Sequence, residues 1–566
     1  MIIAKSTQRF LGLILLFGVF LASACKESTP TPLSEERSIV SFKFEQLSPP
    51  SNGKITDSTG MVQVTIPFNT DKSALVPTIE LSEGATINPP SGTPQDFTDF
   101  VIYQVTAENG AIRTYTVLLS EGSSTDASLA KLILPDLLWE KNFNSSETIV
   151  AFDVPFGTDV SAVRLNLETE EPNSTVVPAS GSVVDLTTPQ LISVTAPDGI
   201  STREYILSLN IQPQETGIRG VWLTNVDSNV LNTQAGIQEA VDICAELNIN
   251  TIFVVTLNKA ETTYPSQVMQ DLIGKRIGTA YEGRDPLREL IDAAHAKNIK
   301  VFAWFEYGFA AMNGSPGPIL NTKPEWASLN SDGNQVVKNG FYWLNSLLPE
   351  VQNFMDDLVL EVVRNYPDID GVQGDDRLPA MPTEGGYDDY TVDLYKSQHG
   401  GASPPTDRTN SAWVQWRAEI LNTYAKNLYN KVKALNTNCL VAMSPSPMSF
   451  GLTEYLQDYG SWVNDGYCDI VSPQLYRREN QGFGVYRSLL TSQLNIIDTD
   501  KRNTFYPGVL SYLGSYFPSE NYMARVIREN RERGVMGEVH FFYNVLLVRE
   551  RAFKALYPGP AIFPNF

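Results

Sequence analysis

From Gly217 onward the chain alternates short β-rich runs with helical stretches of ten or more residues, and it does so eight times. The runs are Gly220 to Leu223, Thr251 to Thr256, Lys300 to Phe305, Ile369 to Gln373, Leu440 to Met443, Ile470 to Ser472, Phe505 to Val509 and Glu538 to Phe542. Few architectures accept that rhythm. Strands separated by helices run parallel, and eight such units predict a (β/α)8 TIM barrel over residues 217–566. Between the first two runs, Ile237, Ala240, Val241, Cys244 and Leu247 recur at three- and four-residue steps, which is one apolar helix face.

Chemistry in such a barrel sits at the C-terminal strand ends. That directs attention to DIDGVQGDDRLP, Asp368 to Pro379, where an apolar strand runs into two adjacent carboxylates. Strand alternation places Gln373 and Asp375 on one face, opposite Val372 and toward the barrel mouth. Asp375 and Asp376 are also the residue type that caps a turn. Glu306 closes the third run on the face of Phe302 and Trp304, and a carboxyl beside aromatic rings has a raised pKa. Trp304, Gln474, Tyr476, Tyr512 and Tyr543 lie at or just beyond strand ends and are candidates to line a binding groove, although each aromatic suits core packing equally well. Asn225, just after the first run, could bind a hydroxyl or cap the following helix. Ala380 to Pro405, with Gly385, Gly386, Gly400 and Gly401, reads as a long loop over the mouth.

Upstream, two segments repeat each other. VTIPF followed by NTD at Val64 to Asp71 recurs as DVPFGTD at Asp153 to Asp159, and Asn109, Gly110, Arg113 and Tyr115 recur as Asp198, Gly199, Arg203 and Tyr205. Pro67 and Pro155 are 88 positions apart, and Arg113 and Arg203 are 90 apart, so the repeat has domain size. Alternating apolar residues and an NG or DG turn before the last strand predict two immunoglobulin-like β-sandwich domains, over 38–122 and 123–212. Trp139 is the one tryptophan in this region, so neither copy offers an aromatic platform and both read as spacers. Gln212 to Thr216 reads as a cleavable junction, with residues 217–566 folding on their own.

Residues 1–24 carry Lys5 and Arg9, an apolar run from Phe10 to Leu21, and the small residues Ala22, Ser23 and Ala24 before Cys25. That order is a secretory signal peptide. LASAC resembles a bacterial lipobox, which implies cleavage before Cys25, lipidation of that residue and membrane anchoring on the extracytoplasmic side. Residues 25–37, rich in Ser, Thr, Pro and Glu, read as a flexible tether. The net charge of −22 argues against a nucleic-acid partner. Four cysteines, Cys25, Cys244, Cys439 and Cys468, are too dispersed for a disulfide framework, and His295, His399 and His540 are too far apart for a zinc motif. No metal or cofactor is expected, which disfavours a metal-dependent polysaccharide deacetylase.

Seven segments in order give the C-terminal region a resemblance to the glycosyl hydrolase-like family 10 enzymes, barrel glycosidases. They are RGVWL at Arg219, AWFE at Ala303, WLNSLLPEV at Trp343, DGVQGDD at Asp370, WVQWRAEI at Trp413, MSPSP at Met443 and SPQLY at Ser472. The chain departs from the family pattern at Gly374, where a large residue is usual, at Arg377, where an aromatic is usual, and at Glu306, near a usual Asn. The resemblance implies a glycoside hydrolase acting on peptidoglycan glycan strands or an exogenous polysaccharide. Such hydrolysis needs two carboxyl groups, and Asp375 is the expected nucleophile. Glu306 is the expected acid, with Asp376 as its rival. A non-catalytic carbohydrate-binding surface lipoprotein is the alternative.

Overall fold

The computed structural model describes residues 33–566 except 69, 123, 124 and 145; the leader, Cys25 and most of the tether lie outside the described residues. The described residues form two compact units, one built on the strands before Ala127 and one running from Ser128 through most of the remaining chain.

The first unit is all-β, with seven strands between Ile39 and Glu121 joined in one hydrogen-bonded network. Its strands alternate as the sequence pattern requires: Val62, Val64 and Ile66 are buried while Gln63 and Thr65 face solvent. The core is aromatic. Phe42, Phe44, Phe97 and Tyr103 pack edge-to-face, with centroids 5.1 to 6.4 Å apart.

Repetition extends to single bonds. Arg113 Nη1 donates to Ser38 Oγ at 3.2 Å, and Arg203 Nη1 donates to Ser128 Oγ at 3.3 Å. The Tyr115 hydroxyl accepts from the Ile39 amide at 3.4 Å, as the Tyr205 hydroxyl does from Leu129 at 2.9 Å. Met61–Ile66 runs parallel to Ile112–Glu121, and Ile149–Val154 runs parallel to Thr202–Ile211. The shared turn and tyrosine residues therefore mark one construction used twice.

The second unit carries eight parallel strands: Arg219–Leu223, Thr251–Val255, Lys300–Phe305, Gly371–Gly374, Leu440–Met443, Ile470–Val471, Gly508–Leu510 and Glu538–Phe541. Numbered by position in the chain, they lie in the order 6-5-4-3-2-1-8-7. Parallel bridges Val471 to Phe505 and Gln474 to Gly508 join the sixth and seventh segments, the two ends of that order. The helix Gln234–Glu246 buries Ile237, Ala240, Val241 and Cys244 against the sheet, and Thr233 caps it by accepting from the Gly236 amide at 3.0 Å. Cys244, Cys439 and Cys468 are buried free thiols.

One expectation fails here, and a second segment makes contacts that its sequence does not announce. Ala380 to Pro405 is not a bare loop, because it contains the helix Asp389–Gln398 and is pinned from below. Buried Arg417 donates to the carbonyls of Thr383 and Gly385, both at 2.6 Å, and to that of Arg408 at 2.9 Å. The junction near Gln212 to Thr216 is tied to the residues that follow it. Gly217 donates to Ile562 O at 2.8 Å, and Glu215 pairs with Arg219 at 3.1 Å and with Arg531 at 2.7 Å. Arg531 also holds Glu538, which has no solvent exposure. Leu138, from the preceding β-region, belongs to the same apolar core as Val221, and the Arg528 guanidinium lies 3.5 Å from the Trp139 ring centre. Local pattern could not reveal this, because the contacts of Gly217 with Ile562, Glu215 with Arg531 and Trp139 with Arg528 each span more than 300 residues of chain.

Candidate active site

The third and fourth strands deliver three carboxyl groups to one place. Asp375 and Asp376 follow the fourth strand in a tight turn closed by Leu378 N donating to Asp375 O at 3.0 Å. Gly374 makes that turn possible: a Cβ there would lie 2.3 Å from the Leu378 carbonyl oxygen. The turn after the third strand is fastened to it, with Phe309 N donating to Arg377 O at 2.9 Å. Gly308 has φ +48°, and a Cβ on it would meet the same carbonyl oxygen at 2.4 Å. Glu306 and Asp375 are thereby held by mutually braced turns.

Arg377 stands among the acids. Its Nη1 is 2.7 Å from Asp376 Oδ1 and 3.6 Å from Asp375 Oδ2, and its Nη2 is 3.8 Å from Glu306 Oε1. The guanidinium rests against Phe341 and Tyr307, 4.8 and 5.6 Å from their ring centres. Gln474 Nε2 donates to Asp375 Oδ1 at 2.7 Å, and Asn258 Nδ2 donates to Glu306 Oε2. Only 5% of the Asp375 side chain and 14% of the Glu306 side chain reach solvent. Burial pushes the Asp375 carboxyl well above the usual range, and the neighbouring Asp376 charge adds to it, while Arg377 works the other way. Burial likewise raises Glu306, against the pull of Arg377 and Asn258. Burial disfavours the Arg377 charge, but the three acids more than offset it and keep the guanidinium protonated.

The remaining predicted residues separate into three groups. Gln474 and Tyr476 are half-buried beside Asp375, and burial and then the Asp375 charge push the Tyr476 phenol up. Asn225 and Tyr512 instead line a hollow of about 510 Å³ with Asp227, Ser228, Asn229 and Gly514. Asn225 Oδ1 itself is buried, with no hydrogen-bond partner among the described residues. Trp304, Gln373 and Tyr543 are interior. Gln373 is fully buried and accepts from Trp222 Nε1 at 2.7 Å; that bond joins the first and fourth strands, which are not neighbours in the sheet. Trp304 is 2% exposed and lies 6.4 Å from Trp222, so it supports the floor and offers no free face. Tyr543 is 3% exposed, and its electrostatic neighbours are Cys244 and Glu239 of the covering helix, so it packs behind the sheet.

Phe541 takes the place expected of Tyr543, 5.1 Å from Tyr476 and 6.0 Å from Trp222. Phe541 lies inside the eighth predicted run, two residues from the position chosen. Asn258 and Phe341 come from the hairpins Leu257–Asn258 with Glu261–Thr262 and Ala310–Asn313 with Phe341–Trp343, segments too short to show a period. Arg377 was visible as a departure from the family pattern, without any hint that one guanidinium would meet all three acids. Among the described residues no group of His, Cys, Asp and Glu could hold a metal ion, and no helix is long and apolar enough to cross a membrane.

The family model described as "Glycosyl hydrolase-like 10" matches residues 217–509, more than half of the chain. The chain belongs to the glycosyl hydrolase-like 10 family. All three carboxyl groups and Arg377 fall within the matched region. Glycosyl hydrolase DigH of Escherichia coli (strain K12) is 24% identical over 372 residues, covering 60% of this chain and 78% of its own. Glycosyl hydrolase YngK of Bacillus subtilis (strain 168) is 22% identical over 403 residues, covering 62% of this chain and 73% of its own. The PgaB (BpsB) glycoside hydrolase domain from Bordetella bronchiseptica aligns at a TM-score of 0.46 and 11% identity, over 61% of this chain and 99% of that one. Outside the glycosyl hydrolase-like 10 region, residues 39–119 match the model described as "SGBP, N-terminal".

Proposed function

We propose that the chain is a glycoside hydrolase whose eight-stranded sheet is a (β/α)8 barrel, and that Asp375 and Glu306 cleave glycosidic bonds in a polysaccharide. The barrel reading is supported by the strand order, whose two ends are bridged, and by the Trp222 to Gln373 hydrogen bond between non-adjacent strands. One observation carries the activity: two desolvated carboxyl groups with raised pKa meet at consecutive strand ends. Such a pair holds a proton on one member while the other stays available as a base. Asp375, whose Oδ1 is aimed by Gln474, acts at the anomeric carbon as nucleophile or by activating water; Glu306 protonates the departing oxygen. Asp376, bound closest to Arg377, orients the pair.

Gln474 and Tyr476 border the reacting sugar, and the Asn225 and Tyr512 hollow receives a further unit. Peptidoglycan strands and exogenous polysaccharides are the two substrate sources to test. Incubation with each, followed by product analysis, should release shorter glycans with new reducing ends. Retained glycan binding without any product would instead make the protein a surface carbohydrate binder.

The two all-β domains are read as immunoglobulin-like spacers between a lipid anchor at Cys25 and the enzyme on the extracytoplasmic side. Cys25→Ser is expected to abolish labelling by a fatty-acid analogue and to shift the protein from the membrane to the soluble fraction. Undiminished membrane retention would remove the anchor from this account.

A further inference from the structure

We propose that Arg377 is a positioning residue of this site: its single guanidinium, seated on the Phe341 and Tyr307 rings, orients Glu306, Asp375 and Asp376 and sets how ionisation is divided among them. The proposal rests on the glycosidase reading for its consequence, and on the geometry alone for its substance. The two terminal nitrogens are split, Nη1 toward both aspartates at 2.7 and 3.6 Å and Nη2 toward Glu306 at 3.8 Å. The side chain is only 15% exposed, and its Nε is buried without a partner among the described residues, so its charge is answered by these acids.

The other polar and titratable groups around the cluster come from each packed element. Asn258 and Lys259 approach Glu306 from the short hairpin, Gln474 and Tyr476 approach Asp375 beyond the sixth strand, Tyr307 lies under the guanidinium, and Tyr455 faces it from the helix Phe450–Tyr455. Lys259 is a second cation that acts on Glu306, whereas Arg377 is the cation that Asp376 pairs with among the described residues. Three carboxyl groups beside one cation cannot all ionise freely, so the unequal distances decide which of them hold protons. An ammonium would serve this purpose poorly, because one nitrogen cannot face Asp376 and Glu306 together as a planar fork does.

Removing the cation raises the pKa of Asp375 and Glu306, both of which it holds down, so the base reaches its ionised form only at higher pH. Arg377→Gln should therefore move the acid limb of the kcat/KM profile upward by about one pH unit. It should also lower kcat by about 100-fold with little change in KM, assayed on peptidoglycan glycan strands or on the panel glycan that yields product. Arg377→Lys should recover part of both losses. Carboxyl-labelled 13C NMR of the ligand-free protein provides a second readout, with Asp375 and Glu306 titrating at higher pH in Arg377→Gln. Unmoved carboxyl titrations in a folded Arg377→Gln protein would overturn the proposal, as would a raised KM with an unchanged pH profile. If Arg377→Gln fails to fold, Arg377→Lys decides: a partial upward displacement supports the role, and titrations superimposable on those of the native protein refute it. If the native protein hydrolyses no glycan, the glycosidase reading falls, and the ligand-free titration still tests the role of Arg377.

Discussion

Asp375→Asn is expected to lower kcat by on the order of 10⁴-fold while KM stays close to the native value. The substitution is nearly isosteric, and the affected group acts on charge that develops in the transition state, so binding of the ground state is largely spared. Glu306→Gln separates the two roles. If Glu306 is the acid, its loss should slow substrates with poor leaving groups far more than activated aryl glycosides, because a good leaving group departs with little protonation.

Stability should move the opposite way. The folded Asp375 carboxyl has a raised pKa, so its favourable contribution is present below the unfolded value of about 3.9 and is lost as pH rises through the folded value. Asp375→Asn should therefore raise Tm at pH 7 and change it little near pH 3. Near-native hydrolysis by the Asn variant would return the two aspartates to the role of a turn cap. A Tm that falls equally at both pH values would contradict the desolvation account.

The second large effect lies at the other end of the sheet. Glu538 and Glu215 share Arg531 in a largely dry network, and both have pKa values below the usual range: burial opposes this, but Arg531 outweighs it. Glu538→Gln leaves Arg531 with half its counter-charge and should cost about 3 kcal/mol at neutral pH. Stability from depressed carboxylates is present above the unfolded pKa and disappears as pH falls through the folded one. The gap between native protein and variant should accordingly narrow in acid. Urea unfolding read by tryptophan fluorescence reports on this region, since seven of the eight tryptophans follow Gly217.

The same network decides what can be cut away. A fragment beginning at Ser128 keeps Leu138, Trp139 and Glu215 and should fold. One beginning at Gly217 takes Glu215 from Arg219 and Arg531 and Trp139 from Arg528, and should be poorly soluble. A soluble, cooperatively folded 217–566 fragment would show that these contacts contribute little.

Periodicity alone located the eight parallel strands to within three residues, because a strand or helix imprints its repeat on its own sequence. The tandem β-region was legible for a related reason. Its turns demand particular residues, and Arg113 with Tyr115 repeats bond for bond as Arg203 with Tyr205. Asp375 and Glu306 could be nominated because both end strands, and strand ends converge when strands are parallel.

What no local pattern contained was the company those residues keep. Whether an aromatic near a strand end faces the site or the covering helix depends on where the strand stops: Phe541 is its last residue, whereas Tyr543, two positions on, caps the helix Asn544–Val548 and packs behind the sheet. Trp304 and Gln373 have the side chains of a binding groove, but tertiary packing buries both in the floor beneath it. Arg377 is next to Asp375 and Asp376 in the chain, but it gained Glu306 only when the turns after two strands were braced together, a contact across about 70 residues of chain. The chain's own order thus determined which elements form and where their ends lie. Tertiary structure decided which side chains share a desolvated space, because pKa, ion pairing and access to a ligand depend on distance and burial rather than on separation along the sequence.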